Sequence, residues 1–159
     1  MIDSRKKISL NKIIKRLIKD KITIGVMESC TGGAIANSIT NIPGVSAIFI
    51  GGKVTYSEKA KIEAGVDSKV IDRYSVFSQE VALEIAKKIE GDPPHRRASI
   101  GIGVTGNLPG EVFVAMRIKN KFLTEKLILK EKLKDKVADR KRMKREVVKK
   151  VWEMIFTIL

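Results

Sequence analysis

The 159-residue chain has one cysteine, one histidine and one tryptophan. With Cys30 as the only thiol, no internal disulfide can form, and a reducing, cytoplasmic setting fits best. With His95 as the only imidazole, no Cys/His zinc cluster can assemble, and neither a metal nor a cofactor is expected. A Ser-His-Asp triad would have to draw on His95, which stands in the charged loop sequence Asp92-Pro93-Pro94-His95-Arg96-Arg97. No apolar run approaches the ~20 residues that a membrane helix needs, so no membrane partner is expected. The basic start leads into an amphipathic stretch without the apolar core or cleavage site of a secretory leader, and none is expected. Aromatic residues make up only 5% of the chain, and the basic stretches lack the interleaved rings on which nucleic-acid bases stack. There is no internal repeat and no low-complexity segment.

Apolar residues make up 43%, which excludes disorder throughout, and the length suits a single domain over residues 1–159. The net charge of +14 is unevenly spread. Residues 1–21 carry eight Lys and Arg against two Asp, and residues 117–150 carry fifteen basic against five acidic residues. Residues 22–116 are close to neutral, with nine basic and ten acidic side chains. The basic ends fit either a nucleic-acid surface or a lysine-rich solvated face.

Leu10, Ile13, Ile14, Leu17 and Ile18 recur at helical spacing and predict an amphipathic helix over 9–20, with Ser9 as its N-cap. A buried strand is expected over 22–27 and a helix over 32–40, closed by Asn41 before Pro43-Gly44. Residues 46–50 and 53–56 read as strands about a bend at Gly51-Gly52. Ser57 caps a short helix through Ala64, with Gly65 beyond it. Ser78 caps a helix whose inner face is Val81, Ala82, Ile85, Ala86 and Ile89, and Gly91 closes it. Residues 98–104 read as a strand, Asn107–Gly110 as a tight turn, and 111–117 with 121–129 as a hairpin. A final helix is expected over 136–158, with Val147, Val148, Val151, Met154, Ile155 and Ile158 as its apolar stripe. The alternation predicts an α/β fold: a three-layer α/β/α sandwich around a mixed sheet.

The segment richest in chemistry is Glu28-Ser29-Cys30-Thr31-Gly32-Gly33, between the first strand and the helix that follows. A helix N-terminus carries unpaired N–H donors and a positive dipole end, which suit an anion, an oxyanion or an exposed nucleophile. The plainer reading, a Ser/Thr N-cap with a glycine turn, is favoured by chemistry alone. Ser29 is the best-placed nucleophile. Cys30 competes, because a thiol beside a helix N-terminus has a depressed pKa, whereas a small buried cysteine is inert. Lysine replaces histidine as base where burial lowers its pKa. Tyr56 and Lys61 leave the next strand–helix junction, at the edge where open α/β sheets bind ligands. Taken alone, Tyr56 reads as a strand-end aromatic and Lys61 as a solvated helix lysine. Glu28 is expected either to orient Lys61 or to pair with a backbone N–H, and Thr105-Gly106 to line the pocket.

These residues resemble the carboxy-terminal domain of the competence-damage-inducible CinA proteins, a family that includes the nicotinamide-nucleotide amidases. The resemblance rests on Glu28–Gly33, on Ile42-Pro43-Gly44-Val45-Ser46 through Gly51-Gly52, and on Val54-Thr55-Tyr56-Ser57 with Lys61 and Gly65-Val66. It continues at Tyr74-Ser75-Val76-Phe77-Ser78-Gln79-Glu80-Val81-Ala82 and at Gly103-Val104-Thr105-Gly106, covering residues 22–116. It implies the same three-layer fold and an amidohydrolase that converts nicotinamide mononucleotide to nicotinate mononucleotide and ammonia. It also implies that Ser29 is the nucleophile, assisted by Tyr56 and Lys61, with Lys59 a nearby second choice. Glu28, Cys30, Thr31, Gly32, Gly33, Thr105, Gly106 and Asn107 are the implied substrate-binding set. The partners implied are a small nucleotide substrate and further copies of the chain.

Three features depart from the family pattern. The long Gly/Pro-rich loop that usually follows Thr-Gly, and is expected to help enclose the substrate, is reduced here to Asn107-Leu108-Pro109-Gly110. Asp139-Arg140-Lys141-Arg142-Met143-Lys144 echoes the family's Asp-Arg-x-x-Val-Arg with lysine in last place, and no counterpart of the family's amino-terminal domain is found in these residues. The alternatives are a CinA-like binding module that does no chemistry and a basic nucleic-acid-associated protein.

Overall fold

Leu10–Lys19 form helix α1, burying Ile13, Ile14 and Leu17 and turning their lysines outward. The computed structural model describes residues 10–89 and 98–159. Ser9, Glu90, Gly91 and the loop bearing His95 lie outside those residues. Strand β1 (Ile24–Glu28) follows, then α2 (Ala34–Thr40), a 3-10 turn (Val45–Ala47) and β2 (Phe49–Val54). Helices α3 (Glu58–Glu63), α4 (Ser68–Tyr74) and α5 (Gln79–Lys87) come next, then strands β3 (Ile100–Gly106), β4 (Gly110–Ile118) and β5 (Lys121–Leu129), and helix α6 (Lys136–Thr157).

The five strands form one mixed sheet in the order β2-β1-β3-β4-β5. β1 runs parallel to both neighbours, while β3, β4 and β5 are antiparallel in turn. β1 and β3 are buried along their whole length, as central strands covered on both faces must be. On one face, Ile24, Val26, Ile102, Val104, Val114 and Met116 pack with α1, α2 and α6 through Leu17, Ile35, Ile39, Val147, Val151 and Ile155. On the other, Met27 and Ala98 meet α4 and α5 through Ile71, Val81 and Ile85, while Ala82 and Ala86 meet Phe113 and Ala115. The expected three layers are present.

Three expectations need correction. Residues 45–47 are a 3-10 turn and 49–54 one strand, where two strands were expected. Gly44, at φ 85, turns the chain into the 3-10 turn, and the bend near Gly51 is absorbed as a register shift against β1. Helix α2 starts at Ala34, not residue 32, because Gly32 and Gly33 take φ values of 60 and 93 that no α-helix contains. Helix α4 was not expected at all. Its signal is Asp67, whose side chain accepts the Lys69 N–H as an N-cap.

The sheet and α5 touch at backbone distance. A Cβ on Gly103 would stand 2.5 Å from the Ala82 carbonyl oxygen and 2.6 Å from the Ala86 nitrogen. A Cβ on Gly101 would stand 2.8 Å from the Ala86 oxygen. Gly103→Ala is therefore expected to push α5 off the sheet and to cost about 1–3 kcal/mol, the usual range for overpacking. Urea unfolding measures it, and an unchanged midpoint contradicts the close packing.

Candidate active site

β1 ends at Glu28, and its carboxylate folds back over the start of α2. It accepts the N–H groups of Gly33 and Ile35 on Oε2, both at 3.1 Å, and that of Ala36 on Oε1 at 2.8 Å. Glu28 is thus the cap of α2, which Gly33 enters with no side-chain cap of its own. The expectation that these N–H groups wait for an anion or oxyanion is corrected here. The donors of Gly33, Ile35 and Ala36 are already held by a buried carboxylate, the favourable partner for a helix N-terminus. Of its two expected roles, Glu28 fills the backbone-pairing one, its carboxylate being held by three backbone N–H groups.

This cap fixes the turn between it and α2. Gly32 donates its N–H to the Ser29 carbonyl at 3.0 Å, and Ala34 donates to the Thr31 carbonyl at 3.2 Å. Ser29, Cys30 and Thr31 are all buried. Thr31 Oγ1 has no hydrogen-bond partner among the described residues.

β2 lies parallel to β1 with Val54 opposite Glu28, so both strands end at the same edge of the sheet. Thr55 clamps the two ends together: its N–H donates to the Glu28 carbonyl at 2.7 Å and its hydroxyl to the same oxygen at 3.3 Å. Ser57 then caps α3 by accepting the Ala60 N–H. One turn into α3, the fully buried Lys61 turns back beneath the strand ends. Its Nζ donates to Ser29 Oγ at 2.9 Å, to the Thr55 carbonyl at 2.9 Å and to the Tyr56 carbonyl at 3.4 Å. Burial pushes the ammonium below its ordinary value of 10.5, opposed by the nearby Cys30 and Glu58. Lys59 goes the other way, exposed and 3.8 Å from Glu63.

Ser29, Cys30, Tyr56, Phe77, Gly106, Asn107, Leu108 and Arg140 line a shallow, open cleft of about 70 Å³, well below the usual volume of a small-molecule site. Tyr56 lines it while 62% exposed, and among the described residues its hydroxyl makes no hydrogen bond to Ser29 or Lys61. Thr105, expected to line the pocket, does not. Its buried hydroxyl donates to the Val76 carbonyl at 2.8 Å and ties the α4–α5 connection to the end of β3. Burial raises the Cys30 thiol to about 11, so the helix-terminus activation weighed for it is overridden by desolvation.

The sequence reading left four contributors out of the site: Phe77, Leu108, Arg140 and Lys144. Arg140 lines the cleft and donates to the Leu108 carbonyl. The Lys144 ammonium lies over the glycine turn, 3.2 Å from where a Cβ on Gly32 would be. Residues four apart share a helix face, so the basic run of α6 did carry a readable signal for the two cations. That this face meets the Ser29 turn was not readable.

Comparison with known proteins follows the same lines. The model of the CinA C-terminal domain family matches residues 7–159. A protein bearing the name competence-damage inducible protein, from Alkaliphilus oremlandii, is 44% identical over 101 residues, covering 62% of this chain and 24% of that protein. A namesake from Clostridioides difficile is 35% identical over 127 residues, covering 73% and 30%. The chain thus spans about a quarter of the length of such curated relatives. Among solved structures, a competence/damage inducible protein from Agrobacterium tumefaciens aligns with a TM-score of 0.70 at 26% identity, covering 90% of this chain and 93% of that one. A CinA superfamily protein from Escherichia coli aligns with a TM-score of 0.73 at 24% identity, covering 92% and 90%, and shows likeness of fold.

Two outcomes test this geometry. Glu28→Ala leaves three helix N–H groups without their acceptor and is expected to lower stability by about 3 kcal/mol or more, with Glu28→Gln recovering part of the loss. Denaturant unfolding reads both, and a loss below about 1 kcal/mol contradicts the capping role. Cys30 in the folded protein is expected to alkylate with iodoacetamide far more slowly than in the unfolded chain. Equal rates contradict its burial and raised pKa.

Proposed function

The chain belongs to the CinA C-terminal domain family, and from that premise we propose that it is a serine amidohydrolase acting on a nucleotide amide, nicotinamide mononucleotide. The observation that carries this reading is the buried contact of Lys61 Nζ with Ser29 Oγ at 2.9 Å. A serine hydroxyl is a poor nucleophile until a base takes its proton. A lysine amine can be that base once burial favours its neutral form.

In the proposed reaction, neutral Lys61 accepts the Ser29 proton as Oγ attacks the amide carbon. The tetrahedral intermediate collapses when Lys61 passes that proton to the leaving nitrogen, and ammonia departs. A water then gives a proton to Lys61 and its hydroxide to the acyl carbon; as the acyl–Oγ bond breaks, Lys61 returns that proton to Ser29 Oγ, which frees nicotinate mononucleotide and restores both Ser29 and neutral Lys61. The carbonyls of Thr55 and Tyr56 hold Nζ in line throughout. Tyr56, which lines the same cleft, assists at the reacting carbonyl or leaving group through its hydroxyl. Arg140 and Lys144 support an anionic substrate, because a phosphate at the lip of the cleft would face both cations.

A second reading, a nucleotide-binding module without turnover, is favoured by one observation. Only Asn107, Leu108 and Pro109 connect β3 to β4, so little chain covers the cleft on that side. Water exclusion and substrate positioning both suffer when a lid is short.

Ammonia release from nicotinamide mononucleotide separates the two. Turnover is expected in the native chain. Ser29→Ala should lose at least about 10³-fold in rate, and Lys61→Arg should be equally dead because a guanidinium stays charged. Cys30→Ala should keep most activity. An active Ser29→Ala protein with a dead Cys30→Ala protein would overturn the nucleophile assignment. The base works only when deprotonated, so the rate should rise with pH through the Lys61 pKa. Burial lowers that pKa, which places the rise below 10.5. A rate that falls across the same window contradicts lysine as the base.

A further inference from the structure

We propose that Phe77 sets the specificity of the cleft, forming with Tyr56 the aromatic walls that hold a planar heteroaromatic carboxamide with its amide toward Ser29. The proposal rests on the amidase reading and names the part of the substrate that this wall takes. The chain has only five Phe, two Tyr and one Trp. Two of these eight rings, Tyr56 and Phe77, line the cleft that contains Ser29, and they are 62% and 43% exposed. Tyr74, Phe122 and Phe156 are exposed to a similar degree elsewhere, so it is their place beside Ser29 that sets Tyr56 and Phe77 apart.

The backbone that presents Phe77 is held in place from several sides. Ser75 has φ 76 and ψ 149, a conformation open essentially to glycine alone. Ser78 donates its hydroxyl to the Ser75 carbonyl at 2.8 Å and accepts the Val81 N–H at 3.2 Å as the cap of α5. The Phe77 N–H donates to Ser75 Oγ at 3.4 Å. From the end of β3, Thr105 Oγ1 donates to the Val76 carbonyl at 2.8 Å, and the Val76 side chain packs against the core beneath α4 and α5. A strained residue persists only where its surroundings over-determine it, and such strain gathers at ligand clamps. Here the strain, the cap and the Thr105 bond together fix the backbone of a residue that lines the cleft. An aromatic ring offers its face to any planar ring, with a gain that depends little on hydrogen bonding. Phe77 carries no polar atom, so it can act on binding and positioning while leaving proton transfer to Lys61.

The test uses titration calorimetry on Ser29→Ala protein, with nicotinamide mononucleotide and with ribose 5-phosphate, which has no aromatic ring. Adding Phe77→Ala is expected to weaken nicotinamide mononucleotide about tenfold or more and to leave ribose 5-phosphate unchanged. Phe77→Trp should restore the lost affinity. In the Ser29-intact protein, Phe77→Ala should raise KM more than it lowers kcat. Equal weakening of both ligands, or no weakening of either, overturns the proposal while the amidase reading stands. A change in sedimentation mass caused by Phe77→Ala also overturns it, making the ring part of a contact between copies. If Ser29→Ala protein binds neither ligand, the amidase reading fails and this assignment fails with it.

Discussion

A buried carboxylate organises this molecule's working edge. Glu28 is the last residue of a central strand, and its side chain gathers three N–H groups at the start of α2. Without it, the turn of two left-handed glycines would have no fixed relation to the sheet. With it, Ser29 is held at the strand end, and its position is set by the sheet register rather than by loop conformation. Thr55 extends the same constraint to the neighbouring strand by hydrogen bonding the Glu28 carbonyl. The strand end that presents the serine is therefore also the strand end that launches the helix of Lys61.

The two charged-residue types at this edge are divided in labour. Glu28 spends its acceptors on backbone donors, which keeps it away from the lysine. Lys61 spends its donors on Ser29 and two carbonyls, with no carboxylate bound to Nζ among the described residues. A carboxylate bound to Nζ would hold the amine protonated. Carbonyls supply hydrogen bonds with no countercharge, so burial is left to lower the lysine pKa. The same low-dielectric surroundings push the Cys30 thiol up to about 11. One environment thus favours the uncharged forms of both the Lys61 amine and the neighbouring thiol.

Helix α6 closes the site from the far end of the chain. Its apolar stripe packs on the sheet through Val147, Val151 and Ile155, which fixes its rotation. That rotation brings Arg140 and Lys144 to the Ser29 turn. Part of the tail's basic excess is thus local to the candidate site. Asp139 is buried beside them, accepting from Arg142 and from the Lys132 N–H, and this anchors the entry to the helix.

Much of the architecture was legible in the residues. Apolar runs that cannot be exposed marked β1 and β3, period-3.6 stripes marked α1, α5 and α6, and side-chain caps marked α3 and α5. These are local signals, set by one residue's neighbours in the chain. The Glu-Ser-Cys-Thr-Gly-Gly segment and its resemblance also pointed to Ser29, Tyr56 and Lys61. Other features were decided only by the tertiary structure. Whether a lysine in a charged hexapeptide helix is solvated or buried depends on strand pairing between distant residues such as Glu28 and Val54. Whether helix N–H donors are free depends on where a preceding carboxylate can reach. Whether Thr105 faces a pocket or pins a turn depends on which connection crosses the strand end. Burial and hydrogen-bond partnership belong to pairs of distant residues. The chain alone determined which groups were available, and the packing of α3, α5 and α6 against one sheet edge decided which of them meet.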